Sequence, residues 1–94
     1  MKVGYIIVSN EVMLGGKDLG YLYREQPDEV NDSGWRAFSG EETDEYLSKA
    51  DNFALYNAST IVSKFPDLIT ILNENFPVEY ELDEGTKSLV KVES

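Results

Sequence analysis

The chain has 94 residues, with 18 acidic side chains against 8 basic ones and a formal charge of −10 at pH 7. It contains no histidine and no cysteine, which removes imidazole bases, thiol nucleophiles, disulfide frameworks and Cys/His zinc sites. An apolar share of 41% can build a core, so the length predicts one folded domain over residues 1–94, one that buries roughly 60–70% of its unfolded surface.

A surface this negative repels phosphate backbones and anionic lipid, so the expected partners include no nucleic acid and no membrane. Attraction to a basic protein surface is the partner chemistry that remains. The plainer reading is that the charge serves solubility alone.

Val3 to Val8 is a nearly continuous apolar run rich in β-branched residues and reads as a strand buried on both faces. It is too short for a signal-peptide core with a cleavage site, and far short of the ~20 residues of a membrane helix. The chain therefore reads as cytoplasmic, and Asn31-Asp32-Ser33 and Asn57-Ala58-Ser59 as chance sequons. Leu19, Tyr21 and Tyr23 alternate with Gly20, Leu22 and Arg24 in a second strand. With Gly15-Gly16 as a turn between them, the two strands predict an N-terminal antiparallel hairpin.

Gln26 to Gly34 is dense in turn formers and reads as loop. Trp35 to Phe38 makes a short third strand. Between Gly40 and Lys49, Glu41, Glu42, Asp44 and Glu45 precede Tyr46 and Leu47. Carboxylates crowded into a first turn suit the positive end of a helix dipole, which predicts a short helix. Phe53 to Tyr56 is a fourth strand. Ile61, Val62, Phe65, Leu68, Ile69 and Leu72 then lay an apolar stripe along helical structure, with Ser59 as its cap and Pro66 breaking it in two. We read this stripe as core.

Val78, Tyr80 and Leu82 alternate with Glu79, Glu81 and Asp83, which places apolar residues on one face of a strand and carboxylates on the other. Asp83-Glu84-Gly85 turns the chain, and Val90 and Val92 continue a returning strand. The pattern as a whole predicts an α+β fold: a mostly antiparallel sheet with two or three short helices packed on one face.

Few residues support chemistry. Nine carboxylates lie between Glu25 and Asp51, opposed only by Arg36 and Lys49, so this stretch supplies seven of the ten net negative charges. A hard cation could bind such oxygens, but Asp28 to Ser39 lacks the ligand alternation, the glycine and the final glutamate of an EF-hand loop. Carboxylate pairs also serve acid–base catalysis, yet 18 carboxylates in a short chain bring some together by chance. Gly15-Gly16-Lys17 lacks the glycine spacing and the following Ser/Thr of a phosphate loop. Ser9, Ser33 and Ser39 have neither a histidine nor a Ser-x-x-Lys base. These residues predict no enzyme, no catalytic group, no cofactor and no metal ligand. Two readings stay open for Trp35, an interface anchor or a core residue, with Asp32 and Ser33 capping the turn before it.

Several motifs follow one another in a fixed order: Ile7-Val8-Ser9-Asn10, Gly20-Tyr21-Leu22-Tyr23-Arg24-Glu25 with Pro27-Asp28, and Asp32-Ser33-Gly34-Trp35-Arg36 with Phe38. Gly40-Glu41-Glu42, Asp44-Glu45-Tyr46, Asn52 and Tyr56 complete the series. Over about Val3 to Leu72 the chain resembles the bacterial immunity protein 33-like family. The resemblance implies a small cytoplasmic α+β domain that neutralises a bacterial toxin, with no catalytic residues. Matching positions that could face a basic toxin are Glu25, Asp28, Asp32, Trp35, Arg36, Glu41, Glu42, Asp44, Glu45 and Tyr46. The alternatives are a small-ligand or divalent-metal domain, marked by a pocket where Trp35, Tyr23 or Tyr46 meets carboxylates, and a regulatory module.

Overall fold

Alternating side chains and turn chemistry place the elements along the chain, and burial of one sheet face decides how they pair. The computed structural model describes residues 4–92. In chain order the elements are β1 (Tyr5–Ser9), α1 (Asn10–Met13), β2 (Tyr21–Arg24), β3 (Asp32–Phe38), α2 (Asp44–Leu47), β4 (Phe53–Tyr56), α3 (Ala58–Lys64), β5 (Val78–Asp83) and β6 (Ser88–Lys91). Short 3-10 turns precede β4 at Ala50–Asn52 and follow α3 at Pro66–Thr70. The six strands form one sheet in the order β4-β1-β3-β2-β5-β6. Among the described residues only the β1–β3 pair is parallel, and the other four pairs are antiparallel. The α+β expectation holds.

The predicted N-terminal hairpin does not form. β1 pairs with β3 and β4, whereas β2 pairs with β3 and β5. The reason is local. The Ser9 hydroxyl accepts from the Glu11 N–H and starts α1, so the chain leaves β1 in a helical turn. Gly15 and Gly16 end that turn: Gly15 N–H donates to Asn10 O, and Gly16 adopts φ +72°, the left-handed geometry that glycine takes without steric cost. β3 then fills the place beside β1.

Strand β3 also starts earlier than the turn-rich composition suggested, because Asp32, Ser33 and Gly34 belong to the strand rather than to the loop. Its register against β1 slips, with Tyr5 opposite Asp32 but Ile7 opposite Arg36. Gly34 lies within that irregularity at φ +87°, and an added Cβ there would collide with the Glu25 carbonyl oxygen. Such a bulge in a strand is a position for glycine.

One face of the sheet carries the core: Ile6, Val8, Leu22, Trp35, Ala37, Val78 and Tyr80, closed by Val12 of α1, Ala58 and Ile61 of α3, and Leu68 and Leu72. The helical stripe is therefore core, as its spacing indicated, except that Ile69 points to solvent. Pro66 separates α3 from the following 3-10 turn as expected. The N-cap of α3 is Asn57, two residues ahead of the predicted Ser59, and it makes no side-chain capping bond. β1 is not buried on both faces, since Tyr5 and Ile7 are only half-buried. They belong to the sheet's second face, which among the described residues lacks a helical layer except where Tyr46 and Leu47 of α2 lie beside Phe38 and Phe53.

Candidate functional site

The second face is assembled by strand register. Tyr21 lies opposite Phe38 and Tyr23 opposite Arg36 across β2 and β3, while Glu81 and Glu79 face the same two tyrosines from β5. Ile7 and Leu55 continue the face toward β4. Because side chains alternate along a strand, these residues share one surface and Trp35 lies on the other. Tyr21, Tyr23 and Phe38 pack as a cluster, with Tyr23 and Phe38 stacked at 5.9 Å between centroids and 10° between planes. Phe53 meets Phe38 edge-on at 5.8 Å, and Tyr46 of α2 meets Phe53 edge-on at 6.0 Å.

Acidic residues border this aromatic strip at both ends of β3. At its beginning, Arg36 is held between carboxylates of the β2–β3 connection. Its Nη1 and Nη2 donate to Oδ1 and Oδ2 of Asp32, each at 2.8 Å, and its Nε donates to Glu25 at 2.9 Å. Asp28 reaches the same guanidinium at 3.7 Å. Asp32 also accepts from the Asp28 and Gly34 N–H groups. The Arg36 hydrogen bonds outweigh burial and hold the Asp32 carboxyl well below the usual carboxylate range; the same pairing raises Arg36 further. Asp32 and Arg36 are 4% exposed, so both serve the interior of this border. Glu25 and Asp28 carry its exposed charge.

At the other end of β3, Glu42 folds back on the Ser39–Gly40 turn. It accepts from the Ser39 N–H and hydroxyl and from the Gly40 N–H, at 2.9, 2.9 and 3.0 Å. Burial opposes its ionisation, but hydrogen bonding, led by the Ser39 N–H and then the Ser9 side chain, prevails and lowers its pKa. Thr43 caps α2 by accepting from Tyr46 N–H, with Asp44 and Glu45 in the first turn. The predicted short helix is thus present. Glu41, Asp44 and Glu45 are exposed, Glu41 ahead of the cap and Asp44 and Glu45 on α2 itself. Tyr46 is half-buried against Phe53.

Between α2, β2 and β5 runs a groove of about 520 Å³, bordered by Tyr21, Tyr23, Phe38, Leu47, Glu42 and Glu81. A shallower hollow continues it over Ile7 and Phe53. Burial, and then the hydrogen bond to Glu79, push the Tyr21 hydroxyl up to about 12. Among the described residues no three acidic side chains are placed to hold a metal ion.

Residues 6–93 match the family model of the Immunity protein Imm33 domain. The chain belongs to this family. No curated protein and no solved structure matches it.

The Asp32-Ser33-Gly34-Trp35-Arg36 block that carried the resemblance is architectural in this Imm33 domain. Trp35 is 0% exposed, and its Nε1–H donates to the Leu72 carbonyl at 3.1 Å. It presents no surface to a partner, and core is the correct reading of it. Ser33 Oγ donates to Tyr5 O and accepts from Trp35 N–H. Of the sequence-derived positions, Glu25, Asp28, Glu41, Asp44 and Glu45 reach solvent. Glu42 and Tyr46 are intermediate, and Asp32, Trp35 and Arg36 are interior. The sequence reading passed over Glu79 and Glu81, which join the same face. Their alternation with Tyr80 was visible, but their position beside Tyr23 and Tyr21 depends on the β2–β5 pairing.

No helix among the described residues is long and apolar enough to cross a membrane.

Proposed function

We propose that this immunity-family domain neutralises a bacterial toxin in the cytoplasm by laying its second sheet face over a basic surface of that toxin, without catalysis of its own. One observation carries the reading: two acidic borders, one from the β2–β3 connection and one from the segment leading into α2, flank a single sheet face. Family membership supplies the class of partner. Many toxins act through basic clefts, and carboxylates held on a rigid sheet oppose such a cleft electrostatically and accelerate encounter. The aromatic strip between the borders supplies the apolar contact area that charged rims by themselves do not.

The test is protection. The toxic domain of a toxin encoded beside this chain should kill a host when expressed alone and spare it when this chain is co-expressed. Undiminished killing, with both proteins present and folded, overturns the reading.

A second reading, a small-ligand domain, has one observation in its favour, the groove in which Tyr23 meets Glu42 and Glu81. Calorimetric titration with small cations tests it. Heat from divalent metal ions at stoichiometric ratio would support that reading over the first.

A further inference from the structure

The groove beside α2 has a floor and walls of different chemistry. Its floor is aromatic: Tyr23 and Phe38 lie almost parallel, and Tyr21 sits 6.2 Å from Phe38. Its walls are two carboxylates from separate elements, Glu42 before α2 and Glu81 on β5. Among the described residues no lysine or arginine lines it. Of the cations nearby, Arg36 is enclosed by Asp32, Glu25 and Asp28, and Lys17 is paired with Glu11 at 2.8 Å and lies 3.8 Å from Glu41. An anion entering here would meet two negative charges, and a neutral apolar group would strip water from them without return.

A guanidinium fits both parts. It is planar, weakly hydrated and permanently charged, so it stacks on ring faces while its N–H fork reaches carboxylates. Glu42 is suited to receive it, because three donors from Ser39 and Gly40 fix the carboxylate in place. We propose that this groove receives an arginine side chain of the protein partner, an assignment that rests on the toxin-binding reading above and gives that face a central anchor. An ammonium cannot stack as a plane or offer a carboxylate two parallel donors, so arginine is taken over lysine.

The probe is a blocked Gly-Arg-Gly tripeptide, titrated into the isotope-labelled full chain and followed by amide chemical shifts. The control is the same tripeptide with citrulline, which keeps the shape and removes the charge. Saturable shifts should concentrate at residues 20–23, 38–42 and 81–82, with citrulline and lysine peptides moving them at least about threefold less. Glu81→Gln, at an exposed strand position, should weaken the arginine peptide by a similar factor, and Phe38→Leu should do so while keeping the site apolar. Equal shifts with citrulline or lysine overturn the assignment. So do arginine shifts that spread over the β2–β3 connection without saturating. The titration contains no toxin. Failure here with host protection intact removes only the arginine site, whereas loss of protection with the peptide still bound removes the toxin reading.

Discussion

Arg36 and Asp32 meet through two parallel N–H···O bonds, both 2.8 Å, four residues apart on the same strand across the β3 bulge. Two charges sit out of water, and the rest of the β2–β3 connection is hung from them. Glu25 closes on the Arg36 Nε, and Asp28 and Gly34 donate their N–H groups to Asp32. The exposed acidic border therefore depends on an interior pair that no partner reaches.

Removing one member of such a pair leaves the other buried without compensation, at a cost of roughly 3–5 kcal/mol. Asp32→Ala also orphans the two backbone donors. Urea unfolding should show a loss of this size for Asp32→Ala. The Asp32→Ala/Arg36→Met double variant should lose clearly less than the sum of the two single changes, since the residues are in direct contact.

Acid should reach the same pair. The folded carboxyl of Asp32 titrates below its ordinary value of 3.8. Its contribution is complete at pH above that ordinary value and is lost as pH falls through the lower folded one. The urea midpoint should therefore decline with acidification below about pH 4. Asp32→Asn should begin from lower stability and show a flatter acid limb over the same range.

Tyr21 offers an alkaline counterpart on the second face. Its hydroxyl donates to Glu79 and titrates near 12. Burial is the larger cause and Glu79 the next. Tyrosine ring-carbon NMR shifts should place Tyr21 above the ordinary phenol range, and Glu79→Gln should move it down only part of the way. A complete return to the ordinary value would remove burial as the leading cause.

Gly34→Ala tests the bulge. A side chain at φ +87° that also meets the Glu25 carbonyl carries at least about 1–3 kcal/mol of backbone strain. Thermal melting should show the loss. Amide signals of residues 25–31 should shift as well, because the Glu25 N–H donates to the Gly34 carbonyl.

Charge reversal locates the partner-facing border. Glu41→Lys, Asp44→Lys and Glu45→Lys together should lower the association rate with a basic toxin about tenfold at low salt, with little change near 1 M salt. Glu42 is left in place because it holds the Ser39–Gly40 turn. The contrast set is Asp67→Lys and Glu84→Lys, both exposed and outside the second-face groove. Glu79 and Glu81 cannot serve as that contrast, since they face Tyr23 and Tyr21. Equal slowing by both sets would remove the assigned border.

Much of this was legible along the chain. The alternation of Val78, Tyr80 and Leu82 with carboxylates gave a strand with one buried face, and β5 has that form. Pro66 ended α3, and the acidic run before Tyr46 led into a capped turn of helix. Pairing was not legible. β1 lies beside β3 although β2 stands between them in sequence, because short apolar runs carry no mark of their neighbour, and the choice is made by covering Ile6, Val8, Leu22 and Trp35 together. The turn-rich composition of Gln26 to Gly34 likewise concealed that its last three residues are strand.

The charge of −10, the seven net negative charges between Glu25 and Asp51, and the lack of histidine and cysteine are properties of composition. They limited the chemistry and the class of partner before any fold was known. Only the tertiary structure decided which carboxylates remain free to act. It buried Asp32 against Arg36, tied Glu42 to a turn, left Glu41, Asp44 and Glu45 in solvent, and brought Glu81 from a distant strand to the groove. The physical reason is that desolvation and hydrogen bonding act on each carboxylate through its neighbours in space, and strand pairing supplies those neighbours from across the sequence.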